Sequence, residues 1–121
     1  MLNIDYPFIQ NFLSEKKNII ITTHKTPDGD ALGSSLALFH VLSHKHNIHV
    51  IVPNEYPHYL KWLPGNDTVM IYEYNETQCN SLINKADLIF CLDFNKLYRL
   101  DAMFNVINTN EAYKIMIDHH E

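Results

Sequence analysis

A chain of 121 residues reads as one domain, and at that size roughly two thirds of the unfolded surface can be buried. Hydrophobic content of 46% with 19% charged residues excludes a disordered or fibrous protein. A net charge of −5, with Lys and Arg scattered rather than striped, argues against gripping nucleic acid through a basic face. A nucleotide or phosphate substrate stays open if a bound cation supplies positive charge locally.

The first segment, "IDYPFIQNFLSEKKN", places Ile4, Phe8, Phe12 and Leu13 near helical spacing, with Asp5 as N-cap and Pro7 in the first turn. "NIIITTH" is a β-branched run suited to a strand buried on both faces. A helix rich in Ala and Leu follows from about Gly29 to His44, and "NIHVIV" is a second strand ended by Pro53. "EYPHYLKWLPGND" reads as a short helix or irregular segment closed by a turn at Pro64-Gly65-Asn66. "TVMIYEY" predicts an edge strand, and "NETQCNSLINKA" a helix with Cys79, Leu82 and Ile83 as its apolar face. "ADLIFCLDF" is a buried strand, "LYRLDAMFNVIN" a helix and "AYKIMID" a last strand before "HHE". Strands alternating with helices predict an α/β fold, a parallel sheet with helices on both faces.

Cys79 and Cys91 stand twelve apart with no C-x-x-C spacing, and Cys91 lies in an apolar run, so a buried free thiol is expected there. With no signal-like N-terminus and no apolar run near the ~18 residues a span requires, a reduced, cytoplasmic protein is expected.

In an open parallel sheet, ligands bind beyond the carboxyl ends of the strands. The first strand ends at His24, followed by Asp28 and Asp30; "LIFCLD" ends at Asp93; "KIMID" ends at Asp118, His119 and His120. Each has a plain explanation alone. "PDG" is a turn signature, Asp30 could cap the next helix, an Asp after a strand makes Asx turns, and terminal histidines are commonly solvated. Together they bring carboxylates and imidazoles from three strands to one edge. Asp28 and Asp30 lie where a helix N-terminus favours negative charge. Gly29 leaves room for close approach, and Pro27 predicts an extended Thr26. A His/Asp set without clustered thiolates suits manganese, magnesium, zinc or cobalt, and its size suits a pair of ions.

"HKTPDGDALGS" resembles the first motif of the DHH phosphoesterases, "LDFNKLYRL" their second, and "IDHH" the motif that names them. The detail of "PDGDALGS" and "DFNKLYR" is most like the bifunctional oligoribonuclease and pAp phosphatase (nano-RNase) branch. The resemblance implies a Rossmann-like DHH domain and two divalent metal ions, Mn2+ foremost, with Mg2+ or Co2+ as substitutes. It implies that His24 and Asp28 hold one ion, Asp30 and His119 the other, with Asp93 shared. His120 would face the scissile phosphate, Asp118 would orient the neighbouring histidines, and Arg99 would steady the loop after Asp93 or touch phosphate.

The implied reaction is metal-assisted hydrolysis of short RNA or DNA oligonucleotides, or of 3'-phosphoadenosine 5'-phosphate, by an activated water. The same constellation would serve a cyclic-dinucleotide phosphodiesterase, a polyphosphatase or a pyrophosphatase; a non-catalytic nucleotide-binding module is the reading from another class. Family members continue past "DHH" with a further aspartate and a C-terminal substrate-binding domain of the DHHA1 type. Residues 1–121 are therefore expected to be the N-terminal part of the catalytic domain, incomplete, binding metal weakly and hydrolysing little alone. The full-length protein could be a homodimer.

Three other features are read as structural. His40 and His44 stand four apart without the Glu of a zinc-protease motif, and with His46 and His49 they suggest a solvated helix end. Trp62, Tyr56 and Tyr59 could stack bases but are assigned to core or rim packing. Cys91 shares a strand face with Asp93 and is read as small buried packing.

Overall fold

The computed structural model describes residues 6–92 and 102–117. Helix α1 spans Tyr6–Phe12, strand β1 Asn18–Thr23, helix α2 Gly29–Leu42 and strand β2 Asn47–Val52. Short 3-10 turns at His58–Leu60 and Asn66–Thr68 lead to β3 at Met70–Ile71. A further 3-10 turn at Tyr72–Tyr74 precedes α3 at Glu76–Asn84, β4 at Leu88–Leu92, α4 at Phe104–Asn108 and β5 at Tyr113–Ile117.

The strands form a five-stranded sheet in the order β3-β2-β1-β4-β5, with every pair parallel. Alternation of side chains divides the core in two. Ile19 and Ile21 of β1, Val50 and Val52 of β2 and Leu88, Phe90 and Leu92 of β4 meet Leu32 and Leu36 of α2, with Phe12 of α1 packed alongside. Ile20, Ile51, Ile89 and Cys91 point the other way, onto Cys79 and Ile83 of α3 and Met103 and Ile107 beside and within α4. Helices thus cover both faces, which is why β1 and β4 read as unbroken apolar runs.

At the amino edge of the sheet, Asn18 ties three strands together. Its backbone N–H donates to Asp87 Oδ2 at 2.8 Å, and its amide group donates to Lys85 O at 3.3 Å. The Asn47 amide donates to Asn18 Oδ1 at 3.1 Å. Fixing the register at this end fixes which residues leave the sheet together at the other.

Several local expectations change. Helix α2 ends at Leu42 rather than His44, where the Ser43 N–H closes on Phe39 O. The edge strand is only Met70–Ile71, because the chain turns inward at buried Tyr72, whose hydroxyl donates to Asn80 Oδ1 at 2.8 Å. The described part of the predicted "LYRLDAMFNVIN" helix is one 3-10 turn and the five-residue α4. The proposed Asp5 cap lies outside the described residues.

His46 is not solvated. It is 8% exposed, and its Nδ1 accepts the Lys17 N–H at 3.1 Å, across the seam between the ends of two loops. His40 and His44 are exposed, as read from the sequence.

Candidate active site

Strand order reverses between β1 and β4: the chain runs outward from β1 to β2 and β3, then returns to β4 and leaves through β5. The crevice beyond the carboxyl ends at such a reversal is where doubly wound folds bind ligands. Thr23 pairs with Leu92, and Leu92 with Ile117, so three strands end at one level. The residues that follow in sequence are His24, Asp93 and Asp118. Of the expected site residues, His24, Asp28 and Asp30 are described; Asp93, Arg99, Asp118, His119 and His120 lie outside the described residues.

His24 is 6% exposed, and its Nδ1 lies 2.7 Å from the carbonyl oxygen of Lys25. A carbonyl only accepts, so Nδ1 donates the proton of that bond. Pinning one ring nitrogen to a backbone carbonyl is how ligating imidazoles are oriented. Asp28 is the N-cap of α2, in extended backbone conformation, with Oδ1 accepting the Ala31 N–H at 2.9 Å. The cap is therefore Asp28, not Asp30, which sits within the first turn and is exposed. Both carboxylates stand where unpaired helical N–H groups and the macrodipole favour negative charge.

The loop between His24 and Asp28 departs from expectation at Thr26. Instead of being extended before Pro27, Thr26 has φ +52°, and among the described residues it is the one non-glycine with positive φ. Its N–H donates to Asn54 Oδ1 at 2.6 Å, and this bond from the loop after β2 holds the turn. At Gly29, among the described residues, a Cβ would touch only Leu60, at 3.8 Å, so none of these neighbours requires glycine there.

Beneath the loop, Thr23 Oγ1 donates to Leu92 O at 2.8 Å and joins the last residues of β1 and β4. The sequence reading missed both Thr23 and Asn54; their partners are 69 and 28 residues away, and no local pattern marks such bonds.

Among the described residues no three His, Cys, Asp or Glu side chains are grouped to hold a metal ion, so His24, Asp28 and Asp30 form no centre by themselves. Their chemistry nonetheless fits a hard divalent cation: one oriented imidazole and two carboxylates at a helix N-terminus, with no thiolate.

The aromatic segment divides in two. Tyr56 is buried and bonded through its hydroxyl to Asn66, as core packing requires, whereas Tyr59 and Trp62 are 69% and 74% exposed. The local 3-10 geometry turns Leu60 and Leu63 inward and leaves Tyr59 and Trp62 on the outer side, so these two are not core residues. Cys91 is fully buried beside Met103 and Ile107, as expected of small packing. An open cleft of about 470 Å³ between Phe12, Asp87, Asn110 and Tyr113 lies at the opposite, amino edge of the sheet, away from His24.

Residues 18–121 match the DHH family, N-terminal domain, and the chain belongs to that family. Among solved structures it is similar to an exopolyphosphatase-related protein from Bacteroides fragilis, with 43% identity and a TM-score of 0.90 over 94% of this chain. The match covers 34% of that protein, so the chain spans about a third of its length. No curated protein matches. Among the described residues no helix is long and apolar enough to cross a membrane.

Proposed function

We propose that this chain is the N-terminal part of the catalytic domain of a divalent-metal-dependent phosphoesterase acting on short oligonucleotides or 3'-phosphoadenosine 5'-phosphate. The observation that carries the reading is His24: a buried imidazole at the topological switch point, its ring held by the bond from Nδ1 to Lys25 O. Membership of the DHH family supports it.

In this reading His24 and Asp28 hold one cation, Asp30 and His119 a second, and Asp93 serves both. Two such ions, Mn2+ foremost, would supply positive charge beside the phosphate and a water acidified for attack. His120 donates to the scissile phosphate, Asp118 orients the adjacent imidazoles and Arg99 steadies the following loop. The α2 N-terminus adds fixed positive potential toward the anionic substrate, which a chain of net charge −5 otherwise repels. Two buried free thiols fit a cytoplasmic setting.

A second reading, hydrolysis of inorganic polyphosphate, is favoured by the description of the Bacteroides fragilis protein as exopolyphosphatase-related. One experiment separates the two. The full-length protein with Mn2+ is given a short RNA, 3'-phosphoadenosine 5'-phosphate, a cyclic dinucleotide, polyphosphate and pyrophosphate in parallel, with Asp93→Ala as control. Turnover of the first two that Asp93→Ala abolishes supports the main reading, and turnover confined to polyphosphate supports the second. Metal and nucleotide binding without turnover of any substrate would mark a non-catalytic module.

A further inference from the structure

The metal loop is held in place from outside its own strand. Between His24 and Asp28 the chain reverses at Thr26, whose φ of +52° is unfavourable for a β-branched residue and is disfavoured again by the proline that follows. The reversal is met by one side chain: Asn54 Oδ1 accepts the Thr26 N–H at 2.6 Å. The donor is a backbone amide, so it is the amide oxygen of Asn54 that faces it.

Asn54 is itself firmly based. Pro53 before it is buried, and its carbonyl accepts the Glu73 N–H at 3.3 Å. Glu55 after it donates its N–H to Glu73 Oε1 at 3.2 Å. A fixed arm from the end of β2 therefore meets a strained turn in the loop after β1.

We propose that Asn54 is a positioning residue for the metal loop: by holding Thr26 at positive φ it sets His24 and Asp28 at the spacing a cation requires. The proposal rests on the metal-dependent reading above. In this proposal Asn54 acts through the loop, by its bond to the Thr26 N–H, so its test needs a reading taken without metal.

The variants are Asn54→Leu, which removes the acceptor, and Asn54→Asp, which keeps an oxygen there, each made in the full-length protein. In chelator, amide exchange at Thr26 is expected to quicken at least tenfold in Asn54→Leu, with shifted His24 and Asp28 amide resonances, and to stay near wild type in Asn54→Asp. Mn2+ titration is expected to show affinity at least tenfold weaker in Asn54→Leu. Thr26→Gly is the second arm: glycine takes positive φ without help, so adding Asn54→Leu to it should change Mn2+ affinity less than threefold.

Wild-type amide resonances and Mn2+ affinity in Asn54→Leu would overturn the proposal, as would a tenfold loss in the Thr26→Gly background. Absence of Mn2+ binding by the wild type would instead overturn the functional reading, while amide exchange would still decide whether Asn54 holds the loop.

Discussion

The hydroxyl of Thr23 donates to the carbonyl oxygen of Leu92 at 2.8 Å, in a part of the core where neither residue is more than 5% exposed. It joins β1 to β4 at the point where strand order reverses, one residue before His24 on one side and Asp93 on the other. Thr23→Val keeps the shape and removes the donor, with an expected cost of about 1–3 kcal/mol in urea unfolding. Thr23→Ser keeps the donor and loses one methyl, so a cost of about 1 kcal/mol is expected. If the chain binds Mn2+ as proposed, the same Val substitution should weaken that binding more than Ser does, because it loosens both strand ends together.

Asp28 has two duties that substitution separates. As N-cap it accepts the Ala31 N–H; as proposed ligand it supplies a carboxylate. Asp28→Ala is expected to lower stability by about 1 kcal/mol, whereas Asp28→Asn, an equally good cap, should lie within a few tenths. Thermal unfolding in chelator reads this difference. Both variants should lose Mn2+ affinity to a similar extent; full affinity in Asp28→Asn would remove Asp28 from the ligand set.

What was legible in the sequence was whatever local pattern decides. The runs "NIIITT", "NIHVIV" and "LIFCL" are strands because β-branched and apolar residues fill both faces of a covered sheet. A helix opening at Gly29 is read from the local pattern of Asp, Gly and Asp before an Ala- and Leu-rich run, although its cap is Asp28 rather than the Asp30 that the sequence suggests. What was illegible depends on partners far along the chain. His46 looked solvated among polar neighbours, yet the Lys17 N–H, 29 residues earlier, draws it inward. Thr26 looked extended before Pro27, yet Asn54 holds it at positive φ. "TVMIYEY" looked like a full edge strand, yet the contact of Tyr72 with Asn80 turns the chain after two residues.

Gly65 is favoured by conformation, and the space around it is tight. Its φ is +88°, and a Cβ there would lie 3.3 Å from both His40 Nε2 and Leu36 Cδ2. Gly65→Ala is expected to cost more than 1 kcal/mol, about the Gly→Ala penalty at positive φ with crowding added. Denaturant midpoints for Gly65→Ala and Gly33→Ala make the comparison. Gly33 lies in α2, where among the described residues a Cβ would meet nothing within 4 Å, so alanine there should stabilise by roughly 0.5–1 kcal/mol.

The two thiols should be inert while the fold is intact. Burial pushes the Cys91 thiol up to about 12 and the Cys79 thiol up to about 11, and neither is exposed. A disulfide reagent at pH 8 is expected to titrate neither in the native protein and both in strong denaturant. Rapid native labelling of Cys79 would show that α3 opens readily from the sheet.

The pH dependence of stability should carry the mark of His46. Its pKa is lowered from the ordinary imidazole value, first by burial and then by the charges of Lys45 and Lys17. The geometry agrees, because Nδ1 must keep its lone pair to accept the Lys17 N–H. A lowered native pKa means that, below the unfolded value of about 6.5, the unfolded chain takes up the proton first. The stabilisation is therefore complete above about pH 6.5 and is lost as pH falls from there toward the native value. Burial lowers His49 as well, so its contribution has the same sign and window. Glu55, lowered chiefly by its hydrogen bond with Lys61, acts only near and below the ordinary carboxylate range, so the two windows separate. His46→Asn places an amide oxygen near the position of Nδ1 without a titrating group. Urea unfolding between pH 7.5 and 5 should then show a shallower loss of stability on acidification than in the wild type, with a residual slope from His49. An unchanged slope would mean that His46 keeps its proton equilibrium on folding and that the Lys17 contact opens in solution.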